Sequence, residues 1–202
     1  MTNEDNIPDW QQTEPLEKIT CTSSKCDEDL HCFLNSFRGK KLSDDNSYRS
    51  EVCISCGVKL VDWYRLDKRD INDVNYTIES FKKELFRKRY WSRHIDEELI
   101  IQVQEKSISE IEKEIEKRIR RYINKRNKDN PYDGRQTPLE GHLIFYAQHA
   151  TGTCCKKCIE EWHGIKRNDL LTDKQISYLI KLIMIYIKKR LKSPSAEGYL
   201  EK

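Results

Sequence analysis

The stretch Tyr146 to Ile165, YAQHATGTCCKKCIEEWHGI, holds three of the chain's eight cysteines and two of its five histidines. Soft ligands at that density point to a bound metal. Cys155 and Cys158 form a C-x-x-C, a spacing that lets two thiolates converge on one zinc ion at about 2.3 Å while the backbone turns between them. His149 and His163 flank the pair and complete a set of two nitrogens and two sulfurs. Lys156 and Lys157 favour ionised thiols. Cys154 is an alternative to Cys155, one helical turn from Cys158, or simply packs. Upstream, HLIFYA reads as a short buried strand that delivers Gln148 and His149 to the metal. Downstream, KCIEEW reads as the first turns of a helix, so the C-x-x-C sits where the helix dipole favours thiolate.

Disulfides are the competing use of these cysteines. The polar opening MTNEDNIPDW carries no apolar signal segment, so the expectation is a cytoplasmic chain with reduced thiols. Of its 202 residues 37% are hydrophobic and 35% charged, a lean core that metal staples would reinforce. A net charge of +3 is well short of a dedicated DNA-binding domain. The longest nearly apolar run, Leu179 to Ile187, is interrupted by Lys181 and is too short to cross a bilayer.

Cysteines also mark the N-terminal part. CTSSKC supplies Cys21 and Cys26, and EVCISCG supplies Cys53 and Cys56 followed by Gly57. A C-x-x-C-G is a knuckle: its backbone N–H groups point at the sulfurs, and glycine provides the positive φ that closes the turn. VKLVDWY reads as the strand leaving it. The predicted ligand set is Cys21, Cys26, Cys53 and Cys56, a closed and hence structural site. Cys32, the competing ligand, lies next to Phe33, Leu34 and Phe37 and reads as a core position, so it and His31 are left out.

Helices follow. Val74, Ile78, Phe81 and Leu85 recur at helical spacing after Asp73, and Asp96 caps a short helix through Val103. Ser107 and Glu110 stand in capping-box register before a stripe of Ile108, Ile111, Ile115, Ile119 and Ile123; Thr172 and Gln175 open a last helix with Ile176, Leu179, Ile180, Ile183 and Ile187 inward. FRKRYWSRH is the candidate nucleic-acid cluster. Arg87, Lys88, Arg89 and Arg93 can neutralise phosphates while Tyr90 and Trp91 offer stacking faces. The same aromatics suit a core, with the cations at a helix end. The expected fold is α+β and mostly helical. Its predicted parts are an N-terminal arm (1–20), a zinc-ribbon-like module (21–66), a helical segment (72–127), a metal-binding domain (128–192) and a tail (193–202).

From Asp133 to Ile187 the motifs DGRQTP, Gly141-His142, YAQHAT, TCCKKC and EWHGI, in this order, resemble a bacterial family of unknown function. The resemblance implies a cytosolic, metal-binding domain and no particular activity. Gly152 stands where the family pattern has alanine, a small-for-small change.

Two functions are compatible with these residues. One is a binding module with two structural zinc ions and a nucleic-acid or protein partner. The other is a metal-dependent nuclease in which His142 or His149 activates water and Asp133 or Asn168 holds a cation. A zinc deaminase is excluded, because Thr151 and Cys154 stand where that chemistry needs Glu and Pro. In the extended strand expected here, His142 is about 23 Å from His149, which makes it an anchor or part of a separate site.

Overall fold

A computed structural model of the chain describes residues 19, 23–33, 36–37, 40–41, 49–125 and 136–191. The predicted arm up to Lys18, Cys21, Asp133 and the tail from Ser193 lie outside these residues. The described part is mostly helical. A 3-10 turn at Cys26–Glu28 leads to a small antiparallel hairpin, β1 (Ser36–Phe37) with β2 (Lys40–Lys41). The helices are α1 (Trp63–Asp67), α2 (Val74–Lys82), α3 (Leu85–Ser92), α4 (Glu97–Gln104), α5 (Ile108–Arg118), α6 (Leu143–Ala150), α7 (Lys156–His163) and α8 (Asp173–Leu191). A π-turn, Ile119–Ile123, extends α5. No described helix is long and apolar enough to cross a membrane.

Side-chain caps start the long helices. Ser107 accepts the Glu110 N–H at 3.3 Å while Glu110 accepts the Ser107 N–H at 2.8 Å. Thr172 and Gln175 repeat this at 2.9 and 3.3 Å, so each pair satisfies two donors that a helix start leaves open. Along α5 the stripe of Ile111, Ile115, Ile119 and Ile123 is buried, whereas Ile108 is 56% exposed and falls outside it. Burying each of those isoleucines contributes about 1.5–3 kcal/mol.

Neither predicted strand forms: HLIFYA is helical, and VKLVDWY is irregular up to Asp62, with Trp63 and Tyr64 in a helix. HLIFYA begins α6: His142 caps it by accepting the Ile144 N–H on Nδ1 at 3.1 Å. Leu143, Ile144, Tyr146, Ala147 and Ala150 are all buried, packed against α3 and α8. A helix enclosed on nearly all sides needs no polar stripe, which is why its sequence resembles a buried strand. After the knuckle, only the bridge Val52↔Lys59 pairs. Asp62 then accepts the Arg65 N–H at 3.0 Å and starts α1, which delivers Trp63 to the core.

Trp162 of α7 joins the N-terminal part to the helices. Its ring lies 4.9 Å from Phe33, 5.6 Å from Trp63 and 4.8 Å from Phe81, and its Nε1 donates to Glu84 at 2.8 Å. One hydrophobic cluster therefore runs from Cys32 and Phe33 to Ile187. Gly152 bears on this hub. Its φ is 66°, and an added Cβ would lie 3.0 Å from the Trp162 side chain, so glycine here is not interchangeable with alanine.

Candidate metal centres

Among the described residues, two groups of side chains could hold a metal ion: Cys26, His31, Cys53 and Cys56, and Cys154, Cys155 and Cys158. Within each group the ligand atoms lie within 4.8 Å of one another. All seven described cysteines are free thiols.

The first group is assembled by two turns. The 3-10 turn presents Cys26, and the chain then enters the core at His31 through the bridge to Glu84. In the knuckle the Gly57 N–H donates to Cys53 O at 2.7 Å, with Gly57 at φ 75°. Sulfurs of Cys26 and Cys53 are 3.8 Å apart, and Cys56 Sγ is 3.6 Å from His31 Nδ1. His31 Nε2 faces Asp29 Oδ1 at 2.8 Å, which leaves Nδ1 for the sulfurs. That hydrogen bond holds the Asp29 carboxyl below its ordinary range. Burial pushes the Cys53 thiol up, but backbone N–H groups of Cys32, Cys56 and Ser55 outweigh it and bring it down to about 6. His31, left out of the predicted ligand set, thus joins the cluster. Cys32 is 3% exposed within the hydrophobic core.

In the second group Cys155 caps α7, its sulfur accepting the Cys158 N–H at 3.4 Å. All three thiols are buried. Hydrogen bonds with Cys154 and Cys158, then burial, drive the Cys155 thiol far upward. Neither His149 nor His163 joins the three within that distance. His149 Nε2 is 3.0 Å from Pro138 O and His163 Nε2 is 3.0 Å from Thr151 O. Both Nδ1 atoms are buried without a hydrogen-bond partner. Burial lowers His149 to about 4 and His163 to about 3, so both rings are neutral and carry their proton on the nitrogen facing the carbonyl.

Arg87 closes this cluster. It is fully buried, donates to Cys158 Sγ at 3.0 Å and to His149 O at 2.7 Å, and lies 3.2 Å from Glu84 Oε2. Burial holds the carboxyls of Glu84 and Glu161 above their ordinary range.

That placement alters the candidate nucleic-acid cluster. Arg87, Tyr90 and Trp91 are buried: Tyr90 stacks on His149 at 4.7 Å, and the Trp91 Nε1 donates to Ala150 O at 3.0 Å. These three side chains do not present a face. Lys88 is exposed, and Arg93 pairs with Glu140 at 3.2 Å. The candidate catalytic His142 has both ring nitrogens engaged, Nδ1 by the α6 cap and Nε2 by Glu114 at 3.4 Å. On α6 its distance from His149 along the axis is about 10 Å, at 1.5 Å per residue, rather than the span of a strand.

A family model described as a domain of unknown function, DUF4186, matches residues 75–188. The chain belongs to this family. The DUF4186 segment runs from α2 into α8 and contains the three-thiol cluster with Arg87, whereas Cys26, His31, Cys53 and Cys56 all precede it. No solved structure matches the chain.

Proposed function

We propose that this is a zinc protein with two structural sites of three thiolates and one imidazole, which acts by binding a nucleic-acid or protein partner. The observation that carries it is the spacing of the N-terminal ligands. Four ligands set tetrahedrally around zinc at about 2.3 Å for sulfur and 2.0–2.1 Å for nitrogen would put sulfurs about 3.8 Å apart and sulfur and nitrogen about 3.6 Å apart. The Cys26–Cys53 and Cys56–His31 distances are 3.8 and 3.6 Å. Asp29 supplies the carboxylate that orients a ligating histidine. Four protein ligands leave no open position for water, so the ion holds the knuckle rather than catalysing a reaction.

For the second site the fourth ligand is His149 through Nδ1. Its other nitrogen is committed to a backbone carbonyl, as in metal-bound histidines, and the orphaned Nδ1 gains a partner. The charged groups bearing on His149 are Arg87 and then Cys158, whereas those bearing on His163 are Arg49, Arg87 and Arg69. When bound, zinc supplies a divalent charge that stabilises three adjacent buried thiolates.

Metal analysis of the purified full chain tests this. Two zinc ions per chain are expected, falling to one in Cys53→Ser and to one in the double variant Cys155→Ser, Cys158→Ser. Less than one zinc in the unaltered protein, or two retained in either variant, overturns the assignment.

A further inference from the structure

Between α5 with its π-turn and the start of α6 lies a cleft of about 300 Å³, lined by Glu114, Lys117, Arg118, Arg121, Tyr122, His142, Ile144 and Phe145. It is separate from both metal centres. Its charge is uneven. Glu114 is committed to Lys106 at 2.6 Å and faces His142 at 3.4 Å. Lys117 and Arg121 have no carboxylate partner among the described residues, although the neighbouring Arg120 pairs with both Glu116 and Asp173. Three cations with their one nearby acid already engaged leave the cleft positive.

Arg118 is the fixed element. Its Nε donates to Gln148 Oε1 at 2.7 Å and one terminal nitrogen to Gln136 O at 3.2 Å. Its guanidinium lies 4.2 Å from the Phe145 ring centre and 5.1 Å from that of Tyr122. Arg121 also lies against Tyr122, at 5.5 Å. The cleft thus combines a held guanidinium, two accessible cations and two aromatic rings, one of which, Tyr122, is 43% exposed.

The wide turn shapes this wall. Asn124 N–H reaches Ile119 O at 2.8 Å, and the Asn124 side chain exchanges two hydrogen bonds with Leu171, at 2.7 and 3.2 Å. Ile119 and Ile123 stay fully buried. Widened helical turns of this kind are concentrated at functional sites.

We infer that the cleft binds a nucleotide, its phosphate held by Lys117, Arg118 and Arg121 and its base against the exposed Tyr122 ring. Cations supply affinity for phosphate without sequence preference, and aromatic faces accept any base. A volume of about 300 Å³ is at the small end of ligand pockets, enough for one nucleotide unit. This inference deepens the binding-module reading and rests on it. The same chemistry is offered by a free mononucleotide and by one unit of a single strand, and these sources are separable by experiment.

Binding of AMP, inorganic phosphate and a single-stranded RNA dodecamer to the full zinc-loaded chain is measured by calorimetry at several salt concentrations, with zinc content assayed in parallel. AMP is expected to bind more tightly than phosphate, and the double variant Lys117→Ala, Arg121→Ala to bind at least about tenfold more weakly with its zinc unchanged and a shallower salt dependence. The control Lys188→Ala, Lys189→Ala removes equal charge from α8 and should match the parent. A dodecamer that binds more tightly than AMP and is equally weakened identifies a strand as the source; AMP as the tighter ligand identifies a mononucleotide. No binding of AMP or RNA, phosphate binding as tightly as AMP, or undiminished binding by the Lys117/Arg121 variant overturns the inference. Loss of zinc with nucleotide binding intact would instead count against the metal reading alone.

Discussion

The two candidate metal centres, three thiols with His31 and three thiols with no histidine among them, lie in different surroundings. Around the N-terminal group, Cys56 is exposed, Cys26 half-buried, and Val52, Ile54 and Val58 of the knuckle are 40–45% exposed. Cys53 anchors one side of that turn in the hydrophobic cluster while its other side is open to solvent, so an ion would supply a second hold. Around the C-terminal group every thiol is buried, α7 is capped by Cys155, and Arg87 ties Cys158 to α3 and α6. There the fold itself places the sulfurs, and burial opposes their ionisation. Similar thiol clusters can thus shape the chain around them at one site and be shaped by it at another.

Three experiments break or sharpen that contrast. The largest effect is expected for Arg87→Ala, which removes the buried cation beside Cys158 and Glu84. Breaking such a pair costs about 3–5 kcal/mol, read as a lower urea midpoint of the helical signal. An unchanged midpoint would mean that the C-terminal cluster is not built into the core. Next, Asp29→Ala should loosen zinc at the N-terminal site by about 10–100-fold, followed by competition with a chromophoric chelator, while the thermal unfolding of the helices is unchanged. Coupled loss of both would make the two centres one cooperative unit.

The smallest effect concerns pH. The folded His163 titrates at about 3, against 6.5 for an unperturbed histidine. Below pH 6.5 the unfolded chain takes up a proton that the folded chain refuses until about pH 3. Stability is therefore full above pH 6.5 and declines as pH falls toward 3, by about 1.4 kcal/mol at pH 5.5. Denaturant titrations of the parent and of His163→Gln, which lacks this proton, should differ by that slope. Identical slopes would show that His163 is not buried neutral.

Local signals were legible because they act over three or four residues. The Ser107–Glu110 and Thr172–Gln175 boxes, the isoleucine stripe from Ile111, the positive φ at Gly57 and the cap at Cys155 all follow from short-range geometry. His31 was hidden by its neighbours. It is left out together with Cys32, which reads as core; its side chain is buried, yet its ring nitrogens meet Asp29 and Cys56. The signal available was the carboxylate at Asp29, two residues before it. Tyr90 and Trp91 offered both readings, and no count of nearby cations could choose between a face and a core.

By itself the sequence determined that the chain is mostly helical, where several of its helices start, and that cysteines gather near both ends. Those properties depend on capping, periodicity and spacing, each settled within a turn or two of backbone. Tertiary structure decided the rest. It made HLIFYA a helix by enclosing it between α3 and α8, brought Arg87 to Cys158 across 71 residues, and placed His31 among the sulfurs of Cys26, Cys53 and Cys56. The physical reason is that burial and ligand convergence depend on distance in space. An apolar run is strand or helix, and a histidine core or ligand, according to which distant segments pack around it.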